Sequence, residues 1–203
     1  MRIIAGSLRS RRLEAPKGLG TRPTSDRLRE TLFNVLAPWI GGAAFWDLYA
    51  GSGAVGIEAL SRGAALVEFV ERDPEALKVL RGNLERLGLR EGFRIHTATV
   101  GATLCKMQAA FKPGLDAIRG SEFDLVFLDP PWEAAEEYAA TLGLLGGKAA
   151  GLLSEDAVVI VEHRRKQRLE DRYGLLERTR LLEQGDAALS FYAISRSSAP
   201  EID

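Results

Sequence analysis

The sequence predicts an α/β fold in which helices cover both faces of a mostly parallel sheet. Three observations indicate this class. Short apolar runs alternate along the chain with segments whose apolar residues recur at helical spacing. One run leads into a glycine-rich turn and a helix pattern, and another ends at two consecutive prolines. With 203 residues, of which 46% are hydrophobic, the chain is long enough to bury one complete core.

The individual elements are predicted in chain order from periodicity and boundary residues. A stripe at helical spacing predicts an opening helix that packs on the core, with Leu28, Leu32, Val35, Leu36, Trp39 and Ile40. Apolar runs predict strands at 44–48, 65–70, 93–97, 123–128 and 157–162. Helices are expected at 57–60, 73–87, 99–110 and 133–145. Two last strands, at about 173–180 and 187–195, are expected to form a hairpin around Gly185 and Asp186.

The motif Asp129-Pro130-Pro131-Trp132 directly follows the fourth predicted strand. Prolines have no N–H, so this backbone cannot continue a sheet ladder and keeps carbonyl acceptors beside a carboxylate. An exocyclic amino nitrogen becomes nucleophilic when acceptors hold its hydrogens, and Asp129 with the Pro130 carbonyl would supply them. Trp132 offers a face for stacking a planar base. We therefore predict that these four residues form a catalytic site for amino-methyl transfer; a Pro-rich turn with a buried Trp is the structural alternative.

A second motif, at the end of the first strand, has the features of a nucleoside site. The glycine-rich turn after Leu48 lets backbone approach a ligand, and Glu71 lies 20 residues after Gly51, where a ribose diol is bound in nucleotide-type units. Asp47 precedes the turn and could accept from a ligand ammonium. S-adenosylmethionine matches these groups. The predicted cofactor-binding residues are Asp47, Tyr49, Ala50, Gly51, Ser52, Gly53, Glu71, Arg72 and Thr99.

The same glycines also match the dinucleotide fingerprint, Gly51-x-Gly53-x-x-Gly56. Two observations disfavour a nicotinamide enzyme. The Asp129 motif has no role in hydride transfer, and too little chain remains for a separate substrate domain. A methyl donor is therefore the preferred ligand.

Composition sets further expectations. The chain has no apolar run long enough to span a bilayer and no signal-like apolar stretch, so a cytoplasmic location is expected. Cys105 is the single cysteine, which excludes an intramolecular disulfide, and it is expected to be a small buried residue in a helix. His96 and His163 are too few and too distant in sequence to predict a metal site. Trp39 and Trp46 are expected in the core.

The basic residues are concentrated at the N-terminus. Residues 1–30 carry a net charge of +5, whereas the remainder of the chain carries −6. This segregation predicts contact with a nucleic-acid backbone, and a solvated arginine-rich hairpin is the alternative. The predicted RNA-binding residues are Arg2, Arg9, Arg11, Arg12, Lys17, Arg22 and Arg27. A second basic run, 163–168, is interpreted as a solvated loop, with RNA contact as the alternative.

Four stretches resemble the bacterial RsmD family of 16S ribosomal RNA guanine-N2 methyltransferases over nearly the whole chain. They are Arg2-Ile-Ile-Ala-Gly6, Arg22-Pro-Thr-Ser-Asp-Arg27 with Arg29-Glu-Thr-Leu-Phe-Asn34, Asp47-Leu-Tyr-Ala-Gly-Ser-Gly53 with Glu58-Ala-Leu-Ser-Arg-Gly-Ala64, and Asp129-Pro-Pro-Trp132. The resemblance implies a Rossmann-like class I S-adenosylmethionine-dependent methyltransferase fold with a seven-stranded sheet. It also implies that the acceptor is 16S rRNA in a small-subunit assembly intermediate.

The resemblance suggests a basic N-terminal extension at 1–40 (hairpin plus helix), a catalytic domain at 41–196 and a tail at 197–203, in a monomer that needs no metal. The chain departs from the family at Thr99, where an Asn or Asp usually contacts the adenine. Three other functions remain open: a DNA amino-methyltransferase, a protein glutamine methyltransferase, and a non-catalytic RNA-binding assembly factor with a retained donor pocket.

Overall fold

A computed structural model describes residues 1–15, 26–112 and 122–195. Within these ranges the chain forms five α-helices and one sheet of eight strands. The helices are α1 (Asp26–Leu36), α2 (Ala54–Ser61), α3 (Pro74–Arg86), α4 (Val100–Ala110) and α5 (Ala135–Leu145). The strands are β1 (Ala44–Leu48), β2 (Leu66–Glu71), β3 (Phe93–Thr97), β4 (Phe123–Leu128), β5 (Leu153–Arg164), β6 (Arg172–Tyr173), β7 (Leu176–Gln184) and β8 (Ala187–Ile194).

The strand order, β3-β2-β1-β4-β5-β8-β7-β6, confirms the predicted mostly parallel α/β sheet. Strands β1 to β5 are parallel, and β7 and β8 form the predicted antiparallel hairpin at the end of the chain. The two-residue strand β6 is an addition, so the sheet has eight strands where seven were expected. Strand order reverses between β1 and β4, which is where ligands bind in such sheets.

Alternate residues along the central strands face two separate apolar clusters. Phe45 belongs to one cluster and Trp46 to the other, as expected when successive side chains point to opposite faces of a sheet. The first cluster includes buried side chains from α1, α2 and α3. The second includes buried side chains from α4 and α5. Helices therefore cover both faces of the sheet, as predicted.

Helix α3 illustrates how local sequence sets an element. Asp73 is the N-cap, and its side chain accepts a hydrogen bond from the Ala76 N–H at 2.8 Å, with Pro74 as the first helical residue. Its apolar face packs into the core through Leu77, Leu80, Leu84 and the C-cap Leu87. Both terminus signals and the apolar face agree with the sequence prediction.

Two predictions about single side chains were wrong. Trp39 was expected in the core, but it lies 56% exposed because α1 ends at Leu36 and the helical period does not continue. Cys105 was expected to be buried, but it is exposed because α4 faces the sheet with Val100, Thr103 and Leu104. Trp46 is fully buried, as predicted, and stacks on Phe123 with ring centroids 4.1 Å apart.

The N-terminal segment packs on α2 through a buried carboxylate. Glu58, which is fully buried, accepts hydrogen bonds from the backbone N–H groups of Ile4 at 2.7 Å and Ala5 at 3.0 Å. The Arg62 Nε donates to the same carboxylate at 2.7 Å. The fully buried Arg29 guanidinium lies 3.9 Å from it, and burial lowers the pKa of Arg29.

Close backbone approach also fixes this segment. A Cβ at Gly6, where φ is +83°, would lie 1.8 Å from the Ser61 carbonyl oxygen, so only glycine fits there. An isolated antiparallel bridge between Arg2 and Arg12 gives the segment the predicted hairpin form. No helix in the described parts of the chain is long and apolar enough to cross a membrane.

We predict that Glu58→Gln destabilises the protein by about 1–3 kcal/mol, because it removes the buried charge that accepts hydrogen bonds from two backbone N–H groups and from Arg62, whereas Arg29 keeps its 2.9 Å ion pair with Asp26. Urea denaturation would measure the change. The control is Glu91→Gln, an exposed carboxylate on the turn before β3, for which a change within about 0.5 kcal/mol is expected. Equal urea midpoints for the two variants would show that the Glu58 carboxylate does not stabilise the packing of the N-terminal segment.

Candidate active site

A cleft of about 640 Å³ opens at the carboxyl ends of the parallel strands. Both predicted halves of the site line it. The lining residues include Asp47, Tyr49, Ala50, Gly51, Ser52, Glu71, Arg72, Thr99, Asp129, Pro130, Pro131 and Trp132. Two segments 80 residues apart in sequence meet because β1 pairs directly with β4, with Leu48 opposite Leu128.

Gly53 is the one predicted cofactor residue that does not line this cleft. It adopts φ +78° at the start of α2, and a Cβ there would lie 2.3 Å from Leu80 Cδ1. Gly51 also has positive φ, at +55°, but a Cβ there would meet no atom within 4 Å. Gly53 therefore permits the turn to pack on α3, whereas Gly51 leaves space above the turn.

Tyr49 connects the glycine-rich turn to α5. It is one of two non-glycine residues with positive φ in the described chain, at +65°. Its hydroxyl lies 2.8 Å from Glu137 Oε2 and 2.7 Å from Thr141 Oγ1. Burial raises the pKa of Tyr49, so the hydroxyl stays protonated and can donate. Because α5 begins just after Trp132, these bonds couple the two sides of the cleft.

Glu71 shapes the same turn. One carboxylate oxygen accepts from the Gly51 N–H at 2.8 Å. The other accepts from the N–H groups of Arg72 at 2.7 Å and Asp73 at 2.8 Å. A carboxylate has about four lone-pair positions, so capacity for a ligand hydroxyl remains. The position is consistent with the predicted ribose contact.

Asp47 is a buried acid below the turn, with 2% exposure. Its Oδ2 accepts a hydrogen bond from the Gly56 N–H at 2.8 Å. Burial raises the pKa of the Asp47 carboxyl to about 8; the Gly56 bond opposes this shift and the Glu71 charge adds to it. A cationic ligand in the cleft would favour the ionised form. This arrangement is a chemical reason to expect an ammonium group nearby.

Thr99 occupies the cleft as the N-cap of α4. Its Oγ1 accepts from the Ala102 N–H at 3.2 Å, which leaves the hydroxyl hydrogen to donate. The side chain therefore retains one hydrogen-bonding function at the position where the RsmD family usually has Asn or Asp.

The motif predicted to be catalytic, residues 129–132, forms a turn between β4 and α5. Pro130 is buried and Pro131 is exposed. The Pro131 carbonyl accepts from the Ala134 N–H at 2.8 Å, so the turn leads directly into the helix. Asp129 and Trp132 are both half-buried at the cleft wall, where a ligand can reach them.

Arg164 lines the cleft, whereas the sequence predicted it only as part of the basic run 163–168. Its guanidinium lies 4.6 Å from the centroid of the Trp132 ring and 3.6 Å from Glu133 Oε1. The fifth strand was expected to end at 162, but β5 continues to Arg164, so this side chain belongs to the strand end. The signal that could have located it is an arginine at the carboxyl end of a parallel strand beside the switch point.

His163, in contrast, is buried and hydrogen-bonded. Its Nε2 lies 2.9 Å from Ser190 Oγ, and its Nδ1 lies 2.9 Å from the Arg164 carbonyl oxygen. Burial lowers the pKa of His163, so it is neutral at physiological pH. His163 therefore does not belong to the exposed basic run.

Groups of three or more His, Cys, Asp or Glu that could hold a metal are absent from the described ranges.

The predicted RNA-binding arginines lie on the surface where the structure describes them. The exposed members are Arg2, Arg9, Arg11, Arg12 and Arg27. Lys17 and Arg22 lie outside the described residues. Three of the exposed residues, Arg2, Arg9 and Arg27, line a second cavity of about 410 Å³, and Met1 lines the main cleft. The basic segment thus reaches the rim of the site.

The sheet order and the site at its switch point define a class I methyltransferase fold. A structure described as "Putative methyltransferase yhhF from Escherichia coli" matches with a TM-score of 0.79 and 33% identity, covering 96% of this chain and 98% of that one. The family model described as conserved hypothetical protein 95 matches residues 1–193.

Several sequence relatives carry functional names. "Ribosomal RNA small subunit methyltransferase D" of Escherichia coli K12 is 39% identical over 80% of this chain and 74% of its own. "Putative rRNA methyltransferase YlbH" of Bacillus subtilis is 36% identical over 95% of this chain and 98% of its own. The chain therefore belongs to the RsmD family of ribosomal RNA small-subunit methyltransferases.

We predict that Asp47→Asn stabilises the protein at pH 8. Between about pH 4 and pH 8 the folded state keeps a proton that the unfolded state has released, so wild-type stability falls as pH rises. Asparagine can still accept from Gly56 but carries no charge. Urea denaturation at pH 5 and pH 8 should show an advantage in unfolding free energy for the variant that grows by about 3–4 kcal/mol over this range. If the difference in unfolding free energy between the variant and the wild type were the same at both pH values, the raised pKa assigned to Asp47 would be wrong.

Proposed function

We propose that this protein transfers a methyl group from S-adenosylmethionine to the exocyclic N2 of a guanine in 16S rRNA, within a small-subunit assembly particle. The single observation that carries the proposal is the shared cleft. The glycine-rich turn after β1 and the Asp129 turn after β4 face the same space because Leu48 pairs with Leu128. Membership of the RsmD family supports ribosomal RNA as the acceptor.

The residues of the β1 turn fit the methyl donor. Glu71 would accept from the ribose hydroxyls, and the open space above Gly51 would admit the ligand close to the backbone. Asp47 would lie near the donor ammonium, whose charge would compensate the buried carboxylate. Thr99 would donate one hydrogen bond at the adenine end. The donor supplies an electrophilic methyl sulfonium, and the protein supplies its position.

The residues of the β4 turn fit the acceptor. Asp129 and the Pro130 carbonyl would accept the two hydrogens of the guanine amino group and direct its lone pair toward the methyl carbon. Trp132 would stack on the base after it leaves its helix or loop. The donor would lose its methyl group to the amino nitrogen, with the C–S bond breaking as the N–C bond forms. Asp129 would then accept the proton that the methylated nitrogen releases, which does not require a strong base.

The exposed arginines would bind RNA phosphates around the cleft. We propose that residues 1–40 act as a basic extension to a catalytic domain at 41–196. The affinity for RNA should therefore fall as the salt concentration rises, because each neutralised phosphate releases counterions on binding. The fold places Ile3 and Leu13 in the core, so the extension is anchored while Arg9, Arg11 and Arg12 stay exposed.

A DNA amino-methyltransferase would use the same site chemistry. Sequence-specific DNA enzymes require an additional recognition surface, and about forty residues form only a small one. A non-catalytic assembly factor would not need the Asp129 turn beside the donor turn. Both alternatives make different predictions for methyl transfer.

The test is transfer of labelled methyl from S-adenosylmethionine to small-subunit particles, free 16S rRNA and duplex DNA, followed by nucleoside analysis. We expect N2-methylguanosine from the ribosomal substrates. Label in DNA would support the DNA enzyme, and donor binding without any transfer would support the non-catalytic factor.

We predict that Asp129→Ala lowers the transfer rate at least about 100-fold, because it removes an acceptor that positions the amino group. Donor affinity, measured by calorimetry, should stay near the wild-type value. The matched control is Glu155→Ala, an exposed acid near the opposite end of the sheet, which should transfer normally. Near-normal turnover by Asp129→Ala would show that Asp129 does not position the amino group.

A further inference from the structure

A second group of exposed cations lies beside the cleft, at the end of β5. Strands β4 and β5 are parallel, with Leu128 opposite Val161, so the end of β5 lies at the same sheet edge as the Asp129 turn. Four basic residues occupy this end and the turn after it: Arg164, Arg165, Lys166 and Arg168, all exposed. We call them the β5 basic turn. From sequence alone this run is interpreted as a solvated loop, with RNA contact as the alternative.

Arg164 connects the β5 basic turn to the acceptor side of the cleft. It lines the cleft, and its guanidinium covers one face of Trp132 at 4.6 Å. Its ion pair with Glu133 is long, at 3.6 Å, and both side chains are more than half exposed. Such pairs contribute little, so the guanidinium remains available to a phosphate. The cation lies next to the ring on which the acceptor base would stack.

The backbone of the β5 basic turn is held in place. The Arg165 N–H donates to the Asp186 carbonyl at 2.8 Å, and the Gln167 N–H donates to the Arg164 carbonyl at 2.8 Å. Leu169 is buried in the core cluster beneath it. The backbone that carries these basic side chains is therefore fixed by hydrogen bonds and by the burial of Leu169.

The remaining basic side chains of the β5 basic turn are not tied up in ion pairs in the described part of the chain. Among the residues that the structure describes, Arg165, Lys166 and Arg168 form no ion pair within 4.0 Å. Two exposed acids follow, Glu170 and Asp171; Asp171 is paired with Arg178, and neither forms an ion pair with the β5 basic turn. Three positive charges that form no ion pair, next to Arg164, make a surface that attracts a polyanion.

We propose that the β5 basic turn is a second phosphate-binding surface for the acceptor RNA, distinct from the N-terminal arginines. By strand order it lies beyond β4, on the side away from β1. RNA phosphates next to the acceptor nucleotide bind here, while the base enters the cleft beside Trp132. This inference rests on the proposed function, since it names how that substrate is held.

The test compares two triple variants with the same loss of charge. The first is Arg165→Gln with Lys166→Gln and Arg168→Gln. The control is Arg90→Gln with Lys106→Gln and Lys148→Gln; these are exposed residues from α4 and from the turns before β3 and β5. Filter binding to 16S rRNA is measured from 50 to 200 mM salt, together with methyl transfer and S-adenosylmethionine affinity.

The first triple variant should bind RNA about tenfold more weakly and show a salt slope smaller by about one to two. Its transfer rate at saturating RNA and its donor affinity should match the wild type. The control should bind RNA within about twofold of the wild type. Equal weakening in both triple variants would overturn the proposal, because net charge alone would then explain binding.

The failure of this inference is distinguishable from failure of the proposed function. RNA binding is measured without catalysis, so it reports on the β5 basic turn even if the wild type transfers no methyl. If the first triple variant binds RNA normally while the wild type transfers methyl, the proposed RNA-binding role of the β5 basic turn is wrong and the catalytic proposal stands. A wild type that binds RNA but transfers no methyl overturns the catalytic proposal instead.

Discussion

The parallel pairing of β1 with β4 is the constraint on which the site depends. Each strand ends in a turn that cannot continue the sheet, one because of its glycines and the other because of its prolines. Since Leu48 lies opposite Leu128, the two turns emerge side by side. Tyr49 then ties the first turn to α5, which begins just after the second. This register is what allows the two turns to line one cleft.

Three acids on the first βαβ unit have different physical roles. Glu58 is compensated by two backbone N–H groups and by Arg62, and it secures the N-terminal segment. Glu71 is compensated by three backbone N–H groups and shapes the glycine-rich turn. Asp47 has the Gly56 N–H and is deeply buried, so its pKa rises to about 8. Asp47 and Glu71 both line the cleft, and Asp47, the less compensated of the two, has the strongly raised pKa that is common at functional sites.

The sequence predicted every strand except the two-residue β6, and it predicted the central helices, because apolar runs and their boundary residues are local signals. It also placed both site motifs at one edge of the sheet, where the structure has them. It did not predict Trp39 at the surface or the exposure of Cys105, since both depend on which helix face meets the sheet. It also missed Arg164, because the length of β5 is set by pairing with β8 rather than by local composition. The link from Tyr49 to α5 depends on tertiary contact in the same way.

The central claim is that donor and acceptor groups meet between the β1 and β4 turns. A crystal structure with S-adenosylhomocysteine tests it most directly. The account predicts that the ribose lies on Glu71, that the amino group lies near Asp47, and that the sulfur faces Asp129. A ligand bound away from the glycine-rich turn, or with its sulfur directed away from Asp129, would contradict the account.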